Sequence, residues 1–130
     1  MSLKSKGINA ERDLIHKFWN TGKWSAVRIA GSGSMRYPSA DILATNKLRI
    51  LAIECKTCIE ESKYIPKEDT EQLKTFADIF GAEPWIAVKF KGHEWFFISL
   101  EDLVGKNKSF IIDIDTARSK GLLFEEIISK

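Results

Sequence analysis

The stretch Ala40-Asp41-Ile42-Leu43-Ala44-Thr45-Asn46-Lys47-Leu48-Arg49-Ile50-Leu51-Ala52-Ile53-Glu54-Cys55-Lys56 decides how this chain folds. Two apolar runs, 40–44 and 50–56, flank a short polar connection, the pattern of an antiparallel hairpin. Asp41 opens the first run, and Glu54 and Lys56 close the second. Side chains two apart on a strand share a face, so Glu54 and Lys56 point the same way. The hairpin returns the end of the second strand to the start of the first, beside Asp41. Two carboxylates and an amine then meet at one edge of a buried sheet. Such a cluster is costly to bury unless a metal or a phosphate is part of it.

Upstream, residues 6–21 carry Ile8, Leu14, Ile15, Phe18 and Trp19 at helical spacing, and Gly22 closes the run. Glu11 falls on the inward side of that helix, either as a boundary carboxylate reaching water or as part of the site. A short strand, 26–30, leads into the loop 31–39, rich in Gly and Ser with Arg36 as its cation. That loop suits a phosphate backbone or a plain surface equally. It lacks the Gly-Lys-Ser/Thr ending of a nucleotide-binding P-loop.

Downstream, residues 57–67 read as polar loop. Residues 68–80 read as a helix with Leu73, Phe76, Ala77 and Phe80 inward and Gly81 as its cap. Strands at 85–90 and 94–98 turn through Lys91-Gly92-His93. Leu100 to Val104 reads as a helical turn, 110–114 as extended, and 122–129 as a terminal amphipathic helix. The order α-β-β-β-α-β-β gives an α/β fold, a central mixed sheet flanked by helices, in a single domain over 1–130.

A chain of 130 residues with 44% hydrophobic and 29% charged content is long enough for a real core and has ordinary globular composition. No apolar run approaches the ~18 residues of a membrane span, so no membrane partner is expected. The first residues are polar and basic without an apolar core behind them, and an intracellular, cytoplasmic location is expected. Cys55 and Cys58 are the only cysteines, at C-x-x-C spacing. They sit at a strand end with His16 and His93 distant in sequence, so they read as reduced thiols rather than a redox pair or half a zinc site.

The net charge of +2 hides an asymmetry. Residues 1–67 carry 12 Lys+Arg against 6 Asp+Glu, and residues 68–130 carry 8 against 12. The basic half also holds the Asp/Glu/Lys cluster, which suits a polyanionic substrate handled with a divalent metal.

The ordered set of motifs resembles the PD-(D/E)xK nuclease superfamily and, within it, the archaeal Holliday junction resolvases. The resemblance runs from Lys6-Gly7 and Glu11-Arg12-Asp13-Leu14 through Arg28 and Gly31-Ser32-Gly33. It continues with Asp41-Ile42-Leu43-Ala44, Ile53-Glu54-Cys55-Lys56, Glu71-Gln72-Leu73 and Phe76-Ala77, covering roughly residues 4–98. One departure is the proline that commonly precedes the catalytic Asp; here Pro38 is followed by Ser39 and Ala40.

The resemblance implies a restriction-endonuclease-like core and a structure-specific endonuclease acting on four-way DNA junctions as a homodimer. It implies Mg²⁺, with Mn²⁺ as a substitute, held by Asp41, Glu54 and the backbone carbonyl of Cys55, with Glu11 serving a second ion. Lys56 would orient the attacking water, and Gln72 would support the water or Lys56. Arg12, Arg28, Ser32 and Arg36 are the candidate DNA phosphate contacts. Another endonuclease of the superfamily, cutting duplex or flap DNA, and a non-catalytic DNA-binding module are the competing readings.

Overall fold

The hairpin of residues 40–56 forms and becomes the spine of the molecule. The computed structural model describes residues 3–31 and 36–129. Strands β2 (Ile42–Thr45) and β3 (Ile50–Cys58) pair antiparallel, with Ile42 opposite Ile53 and Thr45 opposite Ile50. The turn is closed by the Asn46 side chain, whose Oδ1 accepts from the N–H groups of Leu48 and Arg49. Asn is favoured there because its short amide mimics a backbone turn.

β1 (Ser25–Arg28) adds to the outer edge of β2, and β5 (Glu83–Phe90) and β6 (Trp95–Ser99) complete a five-stranded sheet in the order β1-β2-β3-β5-β6. β3 and β5 run parallel while the other ladders are antiparallel, so the sheet is mixed as expected. The parallel pair needs a crossover connection. Helix α2 (Lys67–Phe80) supplies it and stops at Gly81, whose φ of 87° is the left-handed conformation that glycine tolerates best.

The alternation of side chains along the strands feeds two cores, one on each face of the sheet. On one face, Leu14 and Phe18 of α1 (Leu3–Asn20) pack over Ile42, Leu51, Ile53 and Phe97. Phe124 and Ile127 of the terminal helix α4 (Phe124–Ser129) join them. On the other face, Leu73 and Ala77 of α2 cover Ala52, Ile86 and Val88. No helix among the described residues is long and apolar enough to cross a membrane.

Three expectations are corrected. Residues Ser62–Pro66, read as loop, form β4, which pairs antiparallel with β8 (Ser109–Asp113) in a second sheet, β4-β8-β7, with β7 at Val104–Lys106. Ile65 and Ile112 from that sheet are buried in the α2-side core, which explains why so polar a segment is extended. Ile114 does not end a strand but opens α3 (Ile114–Lys120), capped by the Asp113 carboxylate accepting from the Thr116 N–H. The terminal helix begins at Phe124 rather than Leu122, because Leu122 exchanges backbone hydrogen bonds with Phe97. The turn at Leu100–Asp102 is a single 3-10 turn.

Candidate active site

At the open end of the hairpin the ladder loses its regularity. Ile42 is the ladder partner of Ile53, yet the Asp41 N–H also reaches the Ile53 carbonyl at 2.9 Å. Asp41, just before β2, and Ile42 within it thus both face Ile53 of β3, the geometry of a β-bulge, a device that re-aims a side chain. The Asp41 carbonyl is tied to β1 by the Ile29 N–H at 2.8 Å. The Asp41 carboxylate crosses the end of the strand, where Oδ2 accepts from the Cys55 N–H at 2.8 Å. β2 has run out at that point, so a side chain satisfies a backbone donor that the ladder no longer serves.

Glu54 and Lys56 flank Cys55 and point to the α2 face, as the strand period requires. The Lys56 ammonium lies 3.4 Å from Glu54 Oε2 and 3.0 Å from Asp69 Oδ2 on α2. Burial pushes the Glu54 carboxyl up to about 8, and the nearby Asp41 charge adds to the rise against the opposing pull of Lys56. Burial lowers the Lys56 pKa, but Glu54 and Asp69 outweigh it and leave Lys56 above its ordinary value. Burial also lifts the Cys55 thiol well above the ordinary range, with the charges of Asp41, Glu11 and Glu54 adding to it. Cys55 is a free cysteine.

Glu11 approaches from the α1 face. It is 16% exposed and accepts from Arg28 Nε at 2.8 Å. Arg28 shares the strand parity of Ala26, which is buried under α1, so this ion pair lies across the sheet from Lys56. Burial raises the Glu11 carboxyl, the Arg28 hydrogen bond lowers it, and the Asp41 charge raises it again. Asp41 therefore acts electrostatically on both carboxylates, one on each face.

The structure thus brings Glu11, Asp41, Glu54, Cys55 and Lys56 to one end of the sheet, divided between its two sides. Among the described residues, no three His, Cys, Asp or Glu groups converge closely enough to hold a metal ion by themselves. Gln72 is not brought to the cluster. It is exposed on α2 with its amide 3.4 Å from Glu68 Oε1, and Asp69, one turn earlier, contacts Lys56 instead. Asp69 was missed in the sequence because nothing there sets the start of α2 against the end of β3. Arg28 enters as the counter-ion of Glu11, whereas Arg12 and Arg36 are exposed. Ser32 lies outside the described residues.

Comparison with known proteins identifies the family. The family model for archaeal Holliday junction resolvase (Hjc) matches residues 2–130. The chain is 40% identical over 128 residues to the crossover junction endodeoxyribonuclease Hjc of Archaeoglobus fulgidus, covering 98% of this chain and 93% of that one. It is 35% identical over 125 residues to the Hjc of Methanocaldococcus jannaschii, covering 96% and 88%. The solved structure of Archaeoglobus fulgidus Hjc, described as a Holliday junction resolvase, superposes with a TM-score of 0.86 at 37% identity, covering 93% of this chain and 97% of that one. A family match over residues 2–130, the 40% identical relative and the shared fold together establish that this chain belongs to the archaeal Holliday junction resolvase family.

Proposed function

We propose that this chain is a structure-specific endonuclease that resolves four-way DNA junctions, using a divalent metal ion and nicking two strands as a symmetric pair. The observation that carries the reading is the meeting of Asp41 and Glu54 at one strand end with Lys56 beside them. The relatives named crossover junction endodeoxyribonuclease support it.

The donor chemistry fits Mg²⁺ or Mn²⁺. Hard cations take oxygen ligands, and Mg²⁺ keeps several waters, so one or two carboxylates suffice and three need not converge. Asp41 and Glu54 would supply those carboxylates. The mutual repulsion that raises the Glu54 carboxyl is what a divalent cation would offset. The N–H and C=O of one strand residue point to the same side. The Cys55 N–H points at Asp41, and its carbonyl is a third donor there. Glu11 would serve a second ion on leaving Arg28. When bound, such an ion supplies Lewis acidity to the phosphoryl group and to water.

The chain's own residues do the rest. Lys56, held between Glu54 and Asp69, orients the attacking water and offsets charge growing on the phosphate. Arg12 and Arg36, both between Glu11 and Asp41 in the sequence, stand exposed to meet phosphates, and Ser32 belongs to the same group by position. A junction has two-fold symmetry, which a C₂ homodimer with one site per subunit matches. Ile79 and Phe80, exposed at the end of α2 beside Phe76, give a second copy apolar surface to cover. Acting on DNA, such an enzyme would work within the cell.

A cleavage assay on a synthetic four-way junction and a linear duplex of the same sequence, with Mg²⁺, Mn²⁺ or EDTA, tests this reading. Paired nicks in the junction that EDTA abolishes are expected. Equal cutting of both substrates, or cutting in EDTA, would overturn it.

A further inference from the structure

β3 does not end at the cluster. It runs on through Thr57 and Cys58 into a groove of about 660 Å³ bounded by the end of β3, by β4 and by the turn between β5 and β6. Cys58 is about 7 Å beyond Lys56 at the usual rise of an extended strand. Three lysines, Lys63, Lys89 and Lys91, line the groove against one acid, Glu60. The wall is anchored: the Lys89 ammonium binds the His93 carbonyl, and the Lys91 N–H donates to the Cys58 carbonyl at 2.9 Å. Ile59 and Tyr64, each 65% exposed, add apolar surface to the same groove. None of these residues is used by the cluster itself.

A basic groove that follows a strand end gathers phosphates without reading sequence. An exposed aromatic ring within it is a stacking platform for an unpaired base. We propose that the groove holds the DNA strand leading away from the scissile phosphate, with Lys63 and Lys91 on its phosphates and Tyr64 against a base unstacked at the branch. The proposal rests on the endonuclease reading above and extends the DNA footprint past Lys56 to the far end of β3. An apolar occupant would leave three ammonium groups with one carboxylate, Glu60, among them, whereas a nucleic-acid strand supplies both phosphate and a ring to stack.

Junction binding measured by fluorescence anisotropy in EDTA, where no strand is cut, tests it. Wild type is compared with the double variant K63E/K91E, with Y64A, and with K120E, a charge reversal on α3 outside the groove. K63E/K91E is expected to weaken binding at least about tenfold and to flatten the salt dependence by about two phosphate contacts. Y64A is expected to cost about fivefold, and K120E less than about twofold, as a surface charge remote from the strand. Melting curves of each variant separate a lost contact from a lost fold. Wild-type affinity in both K63E/K91E and Y64A, or an equal loss in K120E, overturns the groove. A wild-type protein that binds no junction at all overturns the endonuclease reading beneath it.

Discussion

Asp69, in the first turn of α2, holds the Lys56 ammonium at 3.0 Å, closer than Glu54 does at 3.4 Å. Lys56 is flexible and mostly buried, so its position is set by whichever carboxylates flank it. Asp69→Asn keeps the volume but removes the charge that draws Nζ toward α2. The variant is expected to lose about tenfold in kcat, within the range for groups that orient another residue, with KM for the junction little changed. Asp69→Glu should recover part of the loss. A KM effect without a kcat effect in single-turnover and steady-state cleavage would remove Asp69 from the positioning of Lys56.

The Glu11–Arg28 pair makes a different prediction, about stability. Arg28→Ala leaves Glu11 on the α1 face without the hydrogen bond that lowers its pKa, while burial and Asp41 still raise it. Because Arg28 is partly exposed, solvent screens the pair, and the expected cost is about 1–2 kcal/mol rather than that of a fully buried ion pair. Adding Glu11→Gln should restore part of it, since a neutral amide no longer needs the guanidinium. Urea unfolding of the two single variants and the double variant measures this coupling, and strict additivity would refute it.

Stability should also depend on pH through Glu54. Its carboxyl is raised from 4.5 to about 8, so the folded chain binds that proton more tightly than the unfolded chain does. The resulting stabilisation is complete below about pH 4.5 and is lost as pH rises through about 8. Glu11, raised as well, acts in the same direction. Asp113, lowered by its hydrogen bonds to Thr116, contributes above its ordinary value and loses that contribution only in acid, outside this window. In EDTA the melting temperature is therefore expected to fall between pH 5 and pH 8. Glu54→Gln, which has no proton to lose, should show a flatter profile, and parallel profiles for the two proteins would refute the assignment.

Much of this fold is legible in the sequence because its signals are local. The 40–56 hairpin needs only two apolar runs and an Asn-containing turn, and α1 and α2 need only their stripes. What was not legible depends on partners far along the chain. Ser62–Pro66 is polar and becomes β4 only by pairing with β8, which lies more than forty residues later. In the site, Asp41, Glu54 and Lys56 follow from strand parity, but the bulge at Asp41 does not, since it is a property of two strands together. Gln72 and Asp69 are three apart on one helix, and only the placement of the first turn of α2 against β3 chooses between them. The start of α3 carries a local signal, Asp113 preceding Thr116 at N-cap spacing.

The role of Asp41 can be separated from its place in the fold by two substitutions. Its Oδ2 accepts from the Cys55 N–H, and that donor sits where β2 has ended. Asp41→Asn keeps a carbonyl oxygen for that hydrogen bond but removes the charge acting on Glu54 and Glu11. Asp41→Ala removes both and leaves the Cys55 N–H without its acceptor, a loss of about 1–3 kcal/mol. Asp41→Asn is expected to fold with near wild-type stability and to bind the junction, yet to cut it at least about a thousandfold more slowly, as when an essential charged group is neutralised in place. Asp41→Ala should be equally inactive and visibly less stable. Undiminished cleavage by Asp41→Asn in Mg²⁺ would remove this carboxylate from the chemistry and leave it as a brace for the end of β3.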